Sequence, residues 1–463
     1  MFARVEIPVW LLGLILLFAA VTFATHFLNP TVGWFFRKRA ERVVARLNTR
    51  LQVPIQPFKL LRRADMIQRL IYDPAVIDAV SARARELGVR EDVAFAEAKR
   101  YAREIVPGFS ASAYFGFAIR AARWLSTSLY SVRRIETETE LLADLDPEAV
   151  VVFVMNHRSN MDYVLVTYLV AERSALSYAV GEWARVWPLS ALFRAMGAYF
   201  IRRKSRNALY RRVLARYVQL ATAAGVTQAI FPEGGLSVTG AVGQAKLGLL
   251  SYLLDGNRDG TRPLVFVPVA LNYDRVMEDR ILIEAARTGE RRFRGSWRSS
   301  VPFVLRWVWR RITGRIRRFG TAAVSYGTPL HVGPDDRDPD AVGAELMRRL
   351  RRAVPVLPIP LACLVLTRAG GVMSEAEFHR ETRELTARLV ACGARLALDV
   401  SKGDLPALDM LRLRNMVRDD PAGVRVVESK VSLVAYYAAS IAHHLENAPE
   451  DGAALPHSRP DET

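Results

Sequence analysis

Short apolar runs and helix-like segments alternate along the middle of this sequence, between about residue 136 and residue 330. The strand-like runs are 149–155, 177–180, 228–231, 264–269 and 322–326. Helical patterns separate them, notably at 164–171, 189–196, 207–223 and 247–254. Because parallel strands need a long crossover between them, this alternation predicts an α/β fold with a central, mostly parallel sheet flanked by helices.

The loop after the first of these strands holds the candidate catalytic pair. Ser159 followed three residues later by Asp162 predicts a helix start, with His157 in the loop before it. Residues five apart do not face each other on a helix, so His157 and Asp162 can meet only in this arrangement. The carboxylate would fix the imidazole tautomer and leave the other ring nitrogen as a general base. The alternative interpretation is a capping aspartate beside an ordinary loop histidine.

Three more polar stretches follow strand-like runs of the same unit. Arg202 and Arg203 offer guanidinium groups suited to phosphate, or they form a solvated basic turn. Glu233 with two glycines forms either a ligand-binding turn or an ordinary one. The run 267–269, followed by Tyr273, forms either a pocket wall or a core strand.

These four stretches, in this order, resemble motifs of the glycerolipid acyltransferase superfamily, above all its glycerol-3-phosphate and dihydroxyacetone-phosphate acyltransferases. The residues that carry the resemblance are His157, Arg158, Ser159, Asp162 and Tyr163; Gly197, Phe200, Ile201, Arg202 and Arg203; Phe231, Glu233, Gly234, Gly235 and Ser237; and Val267, Pro268, Val269 and Tyr273. One departure stands in the third motif, where Leu236 and Val238 replace basic residues. That departure bears on the acceptor more than on the acyl-transfer chemistry.

The resemblance implies transfer of a fatty acyl group from acyl-CoA or acyl carrier protein to the sn-1 hydroxyl of glycerol 3-phosphate, the first step of phospholipid synthesis. It implies His157 as general base held by Asp162, with no acyl-enzyme, no metal and no cofactor. The substrate-binding residues would be Arg158, Ser159, Arg202, Arg203, Glu233, Gly234, Gly235 and Lys246, with Ser159 a helix cap or a ligand contact. Dihydroxyacetone phosphate and 1-acylglycerol 3-phosphate remain alternative acceptors.

The amino-terminal region predicts a membrane anchor. Residues 7–28 are apolar without a formal charge and would span about 33 Å as a helix. Basic residues crowd the sequence after this run, which predicts an inner-membrane protein with a single transmembrane helix and a cytoplasmic catalytic domain. A cleaved signal peptide is the alternative. The predicted organisation is an anchor at 1–36, a helical region at 37–135, an acyltransferase domain at 136–330, a helical region at 331–446 and a disordered tail at 447–463.

The net charge of +18 favours anionic partners. The arginine-rich, aromatic segment 287–319 predicts docking on an anionic membrane surface, or a solvated helix packed on the domain. Nucleic acid is not expected as a partner, although a membrane-tethered protein that binds anionic lipid or nucleic acid is the non-enzymatic alternative. Cys363 and Cys392 indicate a reducing compartment. His443 and His444 predict favourable charge at the C-terminus of a helix.

Overall fold

The computed structural model describes residues 55–135, 145–170, 175–181, 189–202, 207–258, 262–289, 319–333, 338–398 and 407–446, with isolated positions before residue 55 and at 260 and 336. The chain divides into two compact units. The first comprises residues 1–55 with 172–174, and the second comprises residues 56–171 with 175–463. The elements below belong to the second unit.

The N-terminal part of this unit is helical, as the sequence predicts. Its helices are α1 (Pro57–Leu60), α2 (Arg63–Ile71), α3 (Pro74–Leu87), α4 (Glu91–Ile105), a π-helix (Ser112–Ala118) and α5 (Ile119–Leu129). Helix α3 begins where it does because the Asp73 side chain accepts the backbone N–H of Ala75 and proline occupies the first turn. The Asp73 carboxylate also accepts two hydrogen bonds from Arg216, which ties these helices to the α/β layer.

A central sheet forms the middle of the unit. Its strands are β1 (Ser131–Ile135), β2 (Val150–Met155), β3 (Ser177–Val180), β4 (Tyr199–Phe200), β5 (Gln228–Ile230), β6 (Leu264–Tyr273), β7 (Thr321–Tyr326) and β8 (Leu330–Val332). The spatial order is β1-β7-β6-β2-β5-β3-β4, with β8 also paired to β6. Strands β6, β2, β5, β3 and β4 run parallel, whereas β7 and β8 are antiparallel to β6. The predicted mostly parallel sheet is therefore confirmed.

Helices flank this sheet and connect its strands. They are α6 (Met161–Val170), α7 (Leu189–Ala195), α8 (Ala208–Ala223), α9 (Leu247–Asp255) and α10 (Asp279–Thr288). Strand β2 is an uninterrupted apolar run with all six residues buried, as expected for a strand covered on both faces. Since β2 and β5 are parallel, the loops after Met155 and Ile230 leave the same edge of the sheet. This edge carries the candidate site.

The C-terminal part contains the helices α11 (Pro339–Ala353), α12 (Pro358–Arg368), α13 (Glu375–Ala391), α14 (Ala407–Leu413), α15 (Val431–Ala438) and α16 (His443–Glu446), and a short 3-10 turn (Glu428–Lys430). It also contains a small antiparallel sheet of β9 (Val372–Met373), β10 (Val417–Asp420) and β11 (Gly423–Val426). The sequence predicts only helices here. Strands β9 to β11 are two to four residues long, too short to show an alternating pattern.

Several predicted features lie outside the described residues. They are most of the apolar run 7–28, Arg203, the arginine-rich residues 290–318 and the tail 447–463. Among the residues that the structure does describe, no helix is both long enough and apolar enough to cross a bilayer. The transmembrane anchor, the docking segment and the disordered tail therefore stay predictions.

The prediction for His443 and His444 is wrong. These residues begin the short helix α16, and each imidazole Nε2 donates to a backbone carbonyl at 2.9 Å, that of Arg351 and that of Val354 respectively. Burial lowers the pKa of His443 to about 4, and burial lowers the pKa of His444 as well. Both rings are accordingly neutral near pH 7 and act as hydrogen-bond donors that join α16 to the end of α11.

This burial predicts a pH dependence of stability. The pKa of His443 is lowered to about 4 in the folded chain, so the unfolded chain binds more protons between about pH 6.5 and pH 4. The free energy of unfolding therefore decreases as the pH is lowered through that window. His443→Gln keeps an N–H donor for Arg351 but does not titrate. We expect it to lose roughly 3 kcal/mol less stability than the unsubstituted chain on acidification from pH 7 to pH 4. Urea unfolding at both pH values measures this, and parallel losses would contradict it.

Candidate active site

The site begins with an asparagine that prolongs strand pairing beyond the end of β2. The Asn156 side chain donates to the carbonyl of Leu271 at 2.9 Å and accepts the N–H of Leu271 at 2.8 Å. The side chain thereby satisfies the backbone groups of Leu271 in the longer strand β6, as a paired strand would. The backbone of Asn156 does not continue the pairing and can turn away from the sheet. His157 follows immediately, in the loop between β2 and α6.

The predicted contact between His157 and Asp162 is confirmed. Imidazole Nδ1 lies 2.9 Å from carboxylate Oδ2, and both side chains are buried. The same Oδ2 atom accepts the backbone N–H groups of Arg158 at 2.7 Å and Ser159 at 3.0 Å, while Oδ1 accepts the Tyr273 hydroxyl at 2.6 Å. Because a carboxylate accepts, Nδ1 carries the proton and Nε2 bears the lone pair.

Aromatic rings fix the plane of this imidazole. The ring centroid of His157 lies 4.2 Å from that of Phe231 and 5.3 Å from that of Tyr163. Among the described residues, none is hydrogen-bonded to Nε2 of His157. The arrangement can therefore offer a proton-accepting nitrogen held at the carboxyl edge of the sheet.

Ser159 caps the helix that carries Asp162, as predicted. Its hydroxyl accepts the N–H of Met161 at 3.1 Å and donates to Glu278 Oε2 at 2.7 Å. In return, the N–H of Ser159 donates to Asp162 Oδ2 at 3.0 Å. The single hydroxyl proton of Ser159 is committed to Glu278, which favours the cap over the ligand contact for Ser159.

Glu233 follows strand β5 and holds the loop that carries His157. Its Oε1 accepts the N–H of His157 at 2.9 Å, and its Oε2 accepts the N–H of Gly243 at 3.0 Å. Burial raises the pKa of Glu233, and these two hydrogen bonds oppose that rise. The N–H of Ser237 donates to the carbonyl of His157 at 2.8 Å. The third motif therefore binds both the backbone N–H and the backbone carbonyl of His157.

Glycine is required at position 234. It adopts a φ of +66°, and a Cβ there would lie 2.8 Å from Lys246 Cδ. The backbone N–H of Gly234 donates to the Phe231 carbonyl at 2.9 Å, which closes this turn, and Gly235 follows it. The backbone N–H of Lys246 donates to the Pro232 carbonyl at 2.8 Å, so Lys246 lies against the turn beside Glu233. Leu236, where related motifs carry arginine, is buried in the interior.

Arg158 is 2% exposed, and it reaches from the loop after β2 to the C-terminal part of the unit. Its Nη1 donates to the carbonyl of Gly240, and its guanidinium lies 5.0 Å from the ring centroid of Tyr436. Its Nε and Nη2 atoms are buried and have no hydrogen-bond partner in the described part of the chain. Gly240 has a φ of +89°, and a Cβ at this position would lie 1.8 Å from the carbonyl oxygen of Tyr436.

Arg202 takes a different position from the one the phosphate hypothesis requires. Its Nε and Nη2 atoms donate to the two carboxylate oxygens of Glu104 at 2.9 and 2.7 Å, and this pairing raises its pKa. Its backbone N–H donates to the hydroxyl of Tyr210 at 2.9 Å. The guanidinium edge that would suit a phosphate is therefore already engaged. Arg203 lies outside the described residues.

Three residues that hold the site were not among the predicted site residues. Tyr273 follows the fourth motif and reaches Asp162 because β6 continues four residues beyond the end of β2. Glu278 lies five residues further on and carries no sequence signal apart from following a strand. A third residue, Tyr436, comes from α15 and lies far along the chain from Arg158, whose guanidinium it contacts.

Comparison with known proteins adds an independent line of evidence. Residues 134–272 match the family model described as Acyltransferase. This stretch contains the loop with His157 and most of the sheet. The chain is similar to proteins named glycerol-3-phosphate acyltransferase, so the resemblance inferred from the four motifs is confirmed.

Three such relatives show the extent of the similarity. The protein from Xanthomonas campestris is 27% identical over 386 residues, which are 76% of this chain and 42% of the relative. The one from Pasteurella multocida is 30% identical over 281 residues, 59% of this chain and 33% of the relative. The one from Actinobacillus succinogenes is 26% identical over 426 residues, 84% of this chain and 50% of the relative. The chain thus spans half or less of the length of these curated relatives.

Among solved structures, the 1-acyl-sn-glycerophosphate (LPA) acyltransferase PlsC from Thermotoga maritima is similar at 15% sequence identity. The similarity covers 56% of this chain and 81% of that one, with a TM-score of 0.33.

The hydroxyl of Tyr273 provides a test of how Asp162 is held. Tyr273→Phe leaves a buried carboxylate oxygen without its donor, and we expect a loss of about 1.5–3 kcal/mol in the free energy of unfolding. The matched control is Tyr130→Phe, because Tyr130 is equally buried and its hydroxyl donates to the backbone carbonyl of Arg275 at 2.9 Å. That loss should be smaller, about 0.5–1.5 kcal/mol. Urea denaturation compares the two, and equal losses would contradict a special role for Tyr273.

Proposed function

We propose that this protein transfers a fatty acyl group from an acyl thioester to the sn-1 hydroxyl of glycerol 3-phosphate. The observation that carries the proposal is the buried pair of His157 Nδ1 and Asp162 Oδ2, 2.9 Å apart, within the stretch that matches the Acyltransferase family model. The names of the similar proteins support glycerol 3-phosphate as the acceptor. The product, a 1-acylglycerol 3-phosphate, is the starting point of phospholipid synthesis.

The proposed reaction is a direct transfer without an acyl-enzyme. Nε2 of His157 removes the proton of the acceptor hydroxyl while the oxygen attacks the thioester carbonyl, and the imidazolium that forms is stabilised by Asp162. The new C–O bond forms, the C–S bond breaks, and the imidazolium returns its proton to the departing thiolate. The products are the ester and the free thiol of coenzyme A or of acyl carrier protein. The reaction as written needs neither a metal nor a cofactor.

The acceptor phosphate is assigned first to Arg158. A buried guanidinium with two nitrogen donors left unpaired carries a desolvation cost, and a phosphate oxygen would offset it. Lys246 and Arg203 are further proposed contacts. Arg202 can contribute only if it exchanges Glu104 for the substrate, so we assign it a secondary role. Glu233, Gly234 and Gly235 are proposed to shape the acceptor pocket by holding the loop that carries His157.

Two other acceptors remain candidates within the same chemistry. Leu236 is buried where related motifs carry arginine, which removes one basic group from the acceptor side of the site. Dihydroxyacetone phosphate keeps the phosphate but changes the carbon skeleton, whereas 1-acylglycerol 3-phosphate adds an acyl chain. Comparing the three acceptors under identical conditions distinguishes these possibilities.

The first test is catalysis by full-length protein with labelled glycerol 3-phosphate and an acyl-CoA. We expect His157→Ala to lower kcat by about 10²–10⁴-fold, because it removes the general base. Asp162→Asn should also lower kcat, since an amide cannot accept from Nδ1–H, Tyr273 and two backbone N–H groups as the carboxylate does.

The matched control is His331→Ala, which replaces an exposed histidine on β8 and should leave kcat unchanged. Equal product from His157→Ala and the unsubstituted protein would contradict the mechanism. Turnover confined to one of the other two acceptors would correct the substrate and leave the mechanism intact. Absence of any transfer, with anionic lipid or nucleic acid bound instead, would favour the non-enzymatic alternative.

We also propose an inner-membrane location, with the apolar run 7–28 as anchor, the catalytic domain in the cytoplasm and the arginine-rich segment 287–319 against anionic headgroups. The two elements predict different behaviour in a membrane fraction. Full-length protein should resist extraction by high salt, whereas protein lacking residues 1–36 should be released, because salt screens a purely electrostatic attachment.

Replacing Arg306, Arg310 and Arg311 in the shortened protein should then weaken its binding to anionic vesicles at low salt. Neutral vesicles provide the matched control for headgroup charge. Release of the full-length protein by salt alone would contradict the anchor, and unchanged vesicle binding after the arginine replacements would contradict docking.

A further inference from the structure

Glu278 spans the space between the end of the sheet and the start of the catalytic helix. It lies between β6 and α10, and its two carboxylate oxygens have different partners. Oε2 accepts the Ser159 hydroxyl at 2.7 Å, and Oε1 accepts the backbone N–H of Asn160 at 3.1 Å. One side chain thus binds two consecutive residues at the start of α6.

These contacts join the hydrogen bonds that hold the catalytic pair. Ser159 accepts the N–H of Met161 and donates its own N–H to Asp162, and Asp162 in turn binds His157. A continuous path therefore runs from Glu278 through Ser159 to Asp162 and His157. Every hydrogen bond along it is 3.1 Å or shorter.

The surroundings make this connection hard to replace with water. Ser159 is fully buried, and burial raises the pKa of the Glu278 carboxyl. The negative charge of Asp162 raises that pKa further, so the chain keeps two acidic groups close together at an electrostatic cost. Removing Glu278 would leave the Ser159 hydroxyl hydrogen and the Asn160 N–H without their protein acceptor.

We propose that Glu278 is a positioning residue for the acyl transfer, acting through Ser159 and the first turn of α6 on the Asp162–His157 pair. It touches neither reacting atom, and the inference rests on the proposed acyltransferase function. Its contribution is to keep Asp162 at hydrogen-bond distance from Nδ1. A small displacement of a catalytic pair from its productive geometry can cost about 10²-fold in rate.

The test compares Glu278→Ala and Glu278→Gln with Glu284→Ala as the matched control. Glu284 lies on α10, is exposed and pairs with Arg287 of the same helix at 2.7 Å. We expect Glu278→Ala to lower kcat by roughly 10–10²-fold with KM for both substrates within about twofold. Glu278→Gln should recover part of kcat, because the amide oxygen can still accept the N–H of Asn160 and the NH₂ group can donate to a lone pair of the Ser159 hydroxyl.

A second measurement does not depend on activity. Hydrogen exchange in residues 156–163 should be roughly three- to tenfold faster in Glu278→Ala than in the unsubstituted protein or Glu284→Ala, because a protecting hydrogen bond is lost. In the double variant with Ser159→Ala, the additional effect of Glu278→Ala on kcat should largely disappear if Glu278 acts through that hydroxyl.

Unchanged kcat and unchanged exchange in Glu278→Ala would overturn the proposal, as would a raised KM at constant kcat, which identifies a substrate contact. Altered exchange in a protein that acylates none of the three acceptors would reject the proposed function while supporting the structural connection. A fall in unfolding temperature shared by the Ala and Gln variants, without rescue of kcat by Gln, would reduce Glu278 to a stabilising role and also overturn the proposal.

Discussion

The arrangement around His157 depends on the hydrogen bonds to the buried carboxylate of Asp162. This carboxylate accepts four hydrogen bonds, from an imidazole, a phenol and two consecutive backbone N–H groups. An acidic group in such an interior site is tolerated only when its acceptor capacity is used. The same requirement forces the loop before α6 into one conformation, and the orientation of His157 follows from it.

The donors to this carboxylate come from two separate parts of the chain. Two backbone groups and His157 belong to the loop after β2, and Tyr273 belongs to the end of β6. Glu233 then fixes the His157 backbone from the strand on the other side of β2. Three neighbouring strands thus converge on one histidine, which explains why a mostly parallel sheet suits the site: their carboxyl ends open at a common edge.

Much of this arrangement could be predicted from the sequence. The strands at 150–155, 177–180 and 264–273 are apolar runs, and the capping pattern at Ser159 and Asp162 has a local physical cause. The two-residue strand β4 and the small C-terminal sheet carry no comparable periodicity. The partners of Glu278 and Arg202 could not be predicted, because tertiary contacts between residues about a hundred positions apart leave no local pattern. An arginine after a short strand is compatible with a phosphate ligand and equally with an ion pair, so the sequence does not distinguish the two for Arg202.

The contact between Gly240 and Tyr436 joins the segment that matches the family to the C-terminal helices. The backbone of the loop after the third motif lies so close to α15 that even a methyl group does not fit between them, and Arg158 is covered by the same helix. The segment that matches the family therefore packs against residues far outside its own bounds. A truncation designed from motif boundaries would remove the helix that covers the Arg158 guanidinium and the backbone that packs on Gly240.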